Sequence, residues 1–182
     1  MKTVVLTGHR KHEIGLWGEK HPAFPYIKEA YRRKMVEAIE LGVEWFLCSA
    51  TQGLELYSAQ WMIELRKDYP QAKLAILLPF YNQEKNWKED AQEQYQRVLA
   101  QADYMDYISK REYVQPWQLS QKNQYMIEKS DGLITFFNGV ERTHPWYYVV
   151  EGQKKQARQA YELWVMTPEE LQYLVDEMNQ EW

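Results

Sequence analysis

Short apolar runs rich in branched and aromatic residues alternate along this chain with longer stretches whose apolar positions recur every three or four residues. The first kind predicts strands at Lys2–Thr7, Val43–Cys48, Ala72–Leu78, Tyr104–Ile108, Gly132–Phe137 and Leu163–Met166. The second kind predicts helices over about Pro25–Leu41, Leu54–Tyr69, Gln83–Gln101, Pro116–Lys129 and Val149–Glu162. In the first of these helices Ile27, Ala30, Tyr31, Met35, Ala38 and Ile39 share one face, with Arg32, Arg33 and Glu40 largely on others. Gly42 stops that helix, Pro70 stops the next, and Thr167, Pro168 and Glu170 form a capping box that opens a last one. Strands and helices in strict alternation predict an α/β fold. Its expected form is a doubly wound, mainly parallel sheet of about six strands with helices on both faces. No linker-like stretch, repeat or low-complexity tract interrupts the alternation, so residues 1–182 are expected to form a single domain.

Charge and cysteine content narrow the class. A net charge of −4 and a pI near 5.7 disfavour nucleic acid as the main partner. The single cysteine, Cys48, excludes an internal disulfide, fits a reducing compartment and ends an apolar strand as a small buried residue would. The apolar run at Val4–Leu6 is far shorter than a secretory core or the ~20 residues of a membrane helix. Membrane insertion is therefore not expected, and the chain reads as cytoplasmic. With 8 Trp and 14 Tyr the chain has a surplus of rings available for core, self-association or base stacking.

Candidate chemistry gathers where strands end. In open α/β sheets ligands bind outside the carboxyl ends of the strands, so the loops there carry the interest. The first strand runs into Gly8-His9-Arg10, in which glycine permits close backbone approach and a guanidinium can clamp phosphate or carboxylate. A plain strand-ending turn with a solvated Arg10 fits the same residues. The loop that follows, to about Phe24, is long and contains Gly15 and Gly18. The second strand runs into Ser49, Gln52, Gly53 and Glu55. Gly53 at a helix start frees amides for an anion, but Glu55 already complements the helix dipole and repels phosphate placed directly on it. Glu55 thus reads either as a helix-start acid or as a partner for ribose hydroxyls or a base amino group.

Lys122 and Asn123 lie on the helix before the fifth strand, where a solvated face is the expected setting. Asn138-Gly139 leaves the fifth strand on the ligand edge, followed by Arg142, Thr143, His144 and the rings Trp146, Tyr147 and Tyr148. Neither a Gly-x-Gly-x-x-Gly fingerprint nor a Walker loop is present. His9, His12 and Glu13 have ligand types at close spacing but not the His-Glu-x-x-His order, and no metal is expected.

Gly8-His9-Arg10 after strand one, Gly53-x-Glu55 after strand two, and Lys122-Asn123 with Ser130-Asp131 before strand five together resemble the SLOG superfamily, and within it the YpsA-like proteins of Gram-positive bacteria. The resemblance covers nearly the whole chain. It implies a Rossmann-like sheet related to DNA-processing protein A and to the lysine-decarboxylase-like LOG phosphoribohydrolases. It also implies a pocket for a nucleotide or a nucleotide-derived ligand of the ADP-ribose or NAD kind, in a family linked to bacterial cell division. By position, Gly8, His9 and Arg10 would line that pocket, Gly53 and Glu55 would form its second wall, and Asn123, Asn138 and Gly139 its far side. LOG enzymes carry a Pro-Gly-Gly-x-Gly-Thr-x-x-Glu loop. The corresponding stretch here, from Gly139 through Glu151-Gly152 to Gln156, has no such glycine run. The expected function is therefore nucleotide-ligand binding by a sensor or adaptor, with a protein partner and a homo-oligomer as further partners. Two alternatives stand beside it: a nucleotide phosphoribohydrolase-like enzyme using Glu55 or Glu151 as its acid, and a single-stranded DNA-binding protein.

Overall fold

A computed structural model describes residues 2–15 and 18–180. Strand β1 (Thr3–Leu6) is followed by a one-turn helix α1 (Lys11–Ile14) and helix α2 (Phe24–Glu40). Then come β2 (Trp45–Cys48), α3 (Leu54–Leu65), β3 (Lys73–Leu78), α4 (Glu89–Gln101) and β4 (Tyr104–Tyr107). The chain finishes with α5 (Trp117–Glu128), β5 (Gly132–Phe136), α6 (His144–Gln156), β6 (Glu162–Met166) and α7 (Pro168–Asn179). The six strands form one sheet in the order β4-β3-β2-β1-β5-β6, with every pairing parallel.

Side-chain alternation along each strand divides the interior in two. Val4 and Leu6, Phe46 and Cys48, Leu74, Ile76 and Leu78, Ile134 and Phe136 point to the face covered by α2, α3 and α4. Helix α7 packs on α2 at the edge of that layer. Val5, Leu47, Ala75 and Leu133 point to the opposite face, where α5 and α6 supply Met126, Ile127, Tyr148 and Val149. Near-continuous apolar runs, as in β1 and β5, are what a sheet buried on both faces requires.

Strand order places the functional edge. The chain builds outward from β1 to β4, then crosses back to lay β5 on the other side of β1. Neighbouring crossovers therefore part at the carboxyl ends of β1 and β5, the switch point where a crevice opens. Tyr31 of α2 bridges the two strands there: its buried hydroxyl donates to Thr7 O at 2.7 Å and accepts from Phe136 N at 3.0 Å.

Of the boundaries that differ from those the sequence predicts, three bear on the carboxyl edge. Part of the loop after His9-Arg10 folds into α1, because the Glu13 side chain reaches back to accept from Arg10 N at 2.9 Å. Positions 16 and 17 of that loop lie outside the described residues. Helix α4 begins at Glu89 and not near Gln83, with Glu89 and Asp90 in its first turn where the dipole favours acids. Helix α6 begins at His144, five residues before Val149, because Thr143 is the extended cap and Pro145 sits in the first turn. That turn makes the Trp146–Tyr148 rings helical.

Candidate functional site

Glu55, in the first turn of α3, is 1% exposed and holds a carboxylate at the centre of the carboxyl edge. Four groups from three elements donate to it. Thr7 Oγ1, just past β1, reaches Oε2 at 2.6 Å; Ser49 Oγ, just past β2, and the Thr51 amide at 3.0 Å reach Oε1; and His144 Nε2, at the start of α6, reaches Oε2 at 2.9 Å. Burial alone would raise its pKa. The neighbouring His144 and Lys122, with the hydrogen bonds from His144 and Ser49, outweigh burial and hold the carboxyl well below the usual carboxylate range.

A second strand of the network runs through hydroxyls. Lys122 of α5 is fully buried and donates from Nζ to Tyr148 Oη at 2.7 Å. Tyr148 Oη lies 3.4 Å from Ser49 Oγ, which in turn donates to Glu55. Every donor in this relay points towards the carboxylate. Burial lowers the Lys122 ammonium to about 8 against the opposing pull of Glu55. Burial, the largest influence, lowers the His144 pKa from its ordinary 6.5 against the pull of Glu55, to which its Nε2 donates.

His9 is fully buried and joins the two sides of the switch point. Its Nε2 accepts from the Asn138 amide at 3.1 Å, which leaves the proton on Nδ1 for Glu13 Oε1 at 3.2 Å. The other Glu13 oxygen accepts from His144 N at 2.9 Å. One acid in the one-turn helix α1 therefore ties the loop after β1 to the start of α6.

Two glycines make this close approach feasible. A Cβ on Gly8 would lie 2.5 Å from Leu54 Cβ and 2.6 Å from Tyr31 Oη. Gly53 has φ +119°, and a Cβ there would meet His9 O at 2.6 Å, while Leu54 N donates to that same carbonyl at 3.0 Å. What these glycines admit is a neighbouring loop. Ala50, between β2 and α3, is fully buried and takes a left-handed φ of 57°, a strained setting for a residue with a side chain.

Above the network lie two cavities. One, of about 250 Å³, has Arg10, Thr51 and Gln52 on one side and Phe80, Trp87 and Leu119 on the other. The second, of about 240 Å³, is floored by His9, Gln52, Gly53 and Leu54 and walled by α4. Arg10 carries its charge close enough to oppose protonation of both Lys122 and His144.

The sequence candidates divide accordingly. His9, Arg10, Gln52 and Gly53 line the cavities. Ser49, Glu55 and Lys122 sit in the network below, and the solvated face expected for Lys122 is corrected: packing of α5 on α6 encloses it. Asn123 is buried beside it, and among the described residues its Oδ1 is a buried oxygen without a hydrogen-bond partner. Asn138, Gly139, Arg142 and Thr143 shape the turn between β5 and α6, where Asn138 Oδ1 accepts from Val140 N and Thr143 Oγ1 donates to Val140 O. Glu151 stays apart, half-buried in a surface groove and paired with Lys154 at 3.4 Å. No group of three or more His, Cys, Asp or Glu suited to a metal occurs among the described residues.

These three loops and the network beneath them belong to a recognisable lineage. The model of the YspA SLOG family, YpsA, matches residues 4–171. The chain belongs to this family. A UPF0398 protein of Halalkalibacterium halodurans is 39% identical over 181 residues, covering 98% of this chain and 96% of that protein. UPF0398 protein YpsA of Bacillus subtilis is 38% identical over 177 residues, 97% of this chain and 98% of that one. Among solved structures, DNA processing protein A from Helicobacter pylori, a single-stranded DNA-binding protein, superimposes with a TM-score of 0.56 at 12% identity. That match covers 100% of this chain and 81% of the other, and at such low identity it shows the shared Rossmann-like fold.

In this SLOG protein the functional edge also depends on residues to which the sequence pattern gave another role or none. Thr7 became visible only through its hydroxyl partner, while Tyr148, read as one of a ring cluster, and Glu13, read beside His9 and His12, take their places through Lys122 and through α1. His144 stands 89 positions from its partner Glu55, and no local spacing announces that pair. Phe80 and Trp87 sit in the turns between β3 and α4, the third loop on the same edge, which was legible as a candidate once the strand order was known.

Proposed function

We propose that this SLOG protein binds a nucleotide-derived ligand in the crevice at the carboxyl ends of β1, β2 and β3, as a sensor or adaptor with little or no turnover. One observation carries the reading: the cavity there pairs a guanidinium and polar groups (Arg10, Thr51, Gln52) with an aromatic wall (Phe80, Trp87). Cation and ring facing each other suit a phosphate joined to a base. The state of Glu55 supports binding over cleavage. With four donors on its oxygens it has no free lone pair for a substrate, and a pKa held so low makes it a poor proton donor at neutral pH. Ligand docking on Arg10 and Gln52 would bear on α1, whose position the Glu13 bridges fix, and so alter the surface a partner protein reads. Regulation of cell division is one setting for such a device.

The test is thermal or chemical unfolding of ligand-free protein across nucleotides, ADP-ribose and NAD. At a hundredfold excess over the dissociation constant the matching class adds about 2.7 kcal/mol. Arg10→Ala should remove most of that gain and leave the unfolding midpoint without ligand unchanged within ~0.5 kcal/mol. A flat response to all of these compounds rejects the proposal. A second reading, single-stranded DNA, is favoured by the same pairing of rings and cations. Oligonucleotide affinity that falls steeply with salt would select it.

A further inference from the structure

The two faces of the sheet are covered unequally. A helix about 10 Å wide spans roughly two strands set ~4.8 Å apart, so six strands call for about three helices on each side. The face of Val4, Phe46 and Leu74 has α2, α3 and α4, with α7 beside them. Among the described residues the opposite face has two helices, α5 and α6. Burial on that face runs out towards β4: Val5 is fully buried, Leu47 and Ala75 are buried, Leu77 is half-buried and Tyr104 is 51% exposed. Trp45, at the start of β2, is half-buried there as well.

Register and contacts agree on which side chains share the open area. Trp45 lies opposite Lys73, Ala75 opposite Tyr104 and Leu77 opposite Asp106. The Lys73 ammonium sits 5.4 Å from the centre of the Trp45 ring, and the Tyr104 hydroxyl donates to Asp106 Oδ2 at 3.4 Å. Among the described residues neither Lys73 nor Asp106 takes part in an ion pair. One cation and one acid flank an apolar strip, a balance that offers a nucleic acid no basic footprint.

The layout is self-complementary. Lys73 stands two residues before Ala75 and Asp106 two residues after Tyr104, so they lie about 7 Å to either side of the Ala75–Tyr104 level. A twofold axis across the strands at that level turns a second sheet antiparallel and faces the patch with itself. Each Lys73 then comes opposite Asp106 of the other copy, and the Tyr104 rings meet near the axis. Stacked sheets lie ~10 Å apart, a gap that a lysine stem and an aspartate bridge together. We propose that the open face of β3 and β4 is a homodimer interface, with two copies of this chain packed sheet to sheet in this register.

Sedimentation velocity of the full chain tests the proposal. Between ~1 and ~200 μM, a range chosen for a small two-sided interface, the protein should pass from monomer to dimer, and less completely at high salt. Tyr104→Glu, at an exposed position, sets two like charges near the axis and should weaken association at least ~10-fold with the unfolding midpoint unchanged. Lys73→Glu and Asp106→Lys, each alone, should weaken it by a similar ~10-fold, because like charges then face each other twice. An equimolar mixture of these two variants should associate within ~3-fold of the wild type, since opposite charges meet at both contacts. A monomer at every concentration would overturn the proposal and leave the face to a different protein. A dimer indifferent to all three substitutions would overturn it too, by showing that the copies meet elsewhere. Single variants that both dissociate and fail to recover on mixing would reject the antiparallel register.

Discussion

Glu55 looks at first like a catalytic acid, and its surroundings assign it another task. An ionised carboxylate enclosed this completely survives because donors from three loops and a nearby ammonium compensate its lost hydration. Replacing it with the isosteric amide reverses the logic. In Glu55→Gln an NH2 group would face hydroxyl, amide and imidazole donors, and the buried Lys122 would lose its compensating charge. We expect a loss of about 3–5 kcal/mol in urea unfolding, the usual cost of breaking a buried charge pair. A stable Glu55→Gln protein that has merely lost ligand binding would show that the carboxylate serves the ligand instead. The double variant with Lys122→Met should recover part of the loss, since it removes the stranded cation as well.

Elements reach the site through joints that are tighter than their own propensities explain. The loop after β1 and the first turn of α3 touch backbone to backbone at Gly53, where both the positive φ and the missing Cβ are required. Gly53→Ala should therefore cost at least ~2 kcal/mol, combining backbone strain with displacement of the His9 carbonyl. Gly139, at φ +86° but in open space, supplies the control: its alanine variant should lose only about 1 kcal/mol. Equal losses at the two sites would show that conformation alone matters at Gly53.

Helix α5 is held by a similar device at its other end. The enclosed Lys155 of α6 donates to the carbonyls of Ile127, Glu128 and Ser130 at 3.0, 2.9 and 2.7 Å, which places a cation on the unsatisfied carbonyl end of α5. Lys155→Met keeps the stem and removes these bonds, for an expected loss of about 2–3 kcal/mol by chemical denaturation. An unchanged midpoint would mean that water replaces the ammonium at no cost.

At the scale of the whole molecule, the strand–helix alternation was readable because the two-sided burial of β1 and β5 leaves them almost continuously apolar. The ligand edge was readable too, since strands of one parallel sheet all end on the same side. What the chain did not disclose is side-chain pairing across distance. Lys122 has the composition of a solvated helix face and is buried only because Tyr148 lies over it, 26 positions away. His144 falls in a ring-rich stretch that reads equally well as loop, until the Thr143 cap and Pro145 start a helix there.

That concentration of enclosed ionisable groups at one edge gives the protein a characteristic dependence on pH. Burial lowers the pKa of both His9 and His144 from 6.5, so below about pH 6.5 the unfolded chain takes up protons that the folded rings refuse. Stability then falls with acidification, by up to ~1.4 kcal/mol per pH unit for each ring. Glu13 and Glu55 extend the loss below their ordinary value of 4.5, because their folded carboxyls stay ionised after the unfolded ones have protonated. Lys122 has the opposite effect on the alkaline side: its folded pKa of about 8 lies below the ordinary 10.5, so between these values the unfolded state binds more protons and stability rises with pH. Near pH 10 the buried phenols of Tyr31, Tyr95 and Tyr161, all pushed up by burial, reverse that rise as unfolded tyrosines ionise. Urea midpoints from pH 5 to 10 should accordingly climb from pH 5 to 7, level off, and climb again between about 8 and 9, above which ionisation of the unfolded Cys48 thiol, whose folded pKa burial raises, offsets the rise. In Lys122→Met the second climb should vanish while the first persists. A wild-type curve that declines steadily above pH 7 would show that the ammonium is solvated, and with it that the hydroxyl relay to Glu55 does not hold the crevice floor.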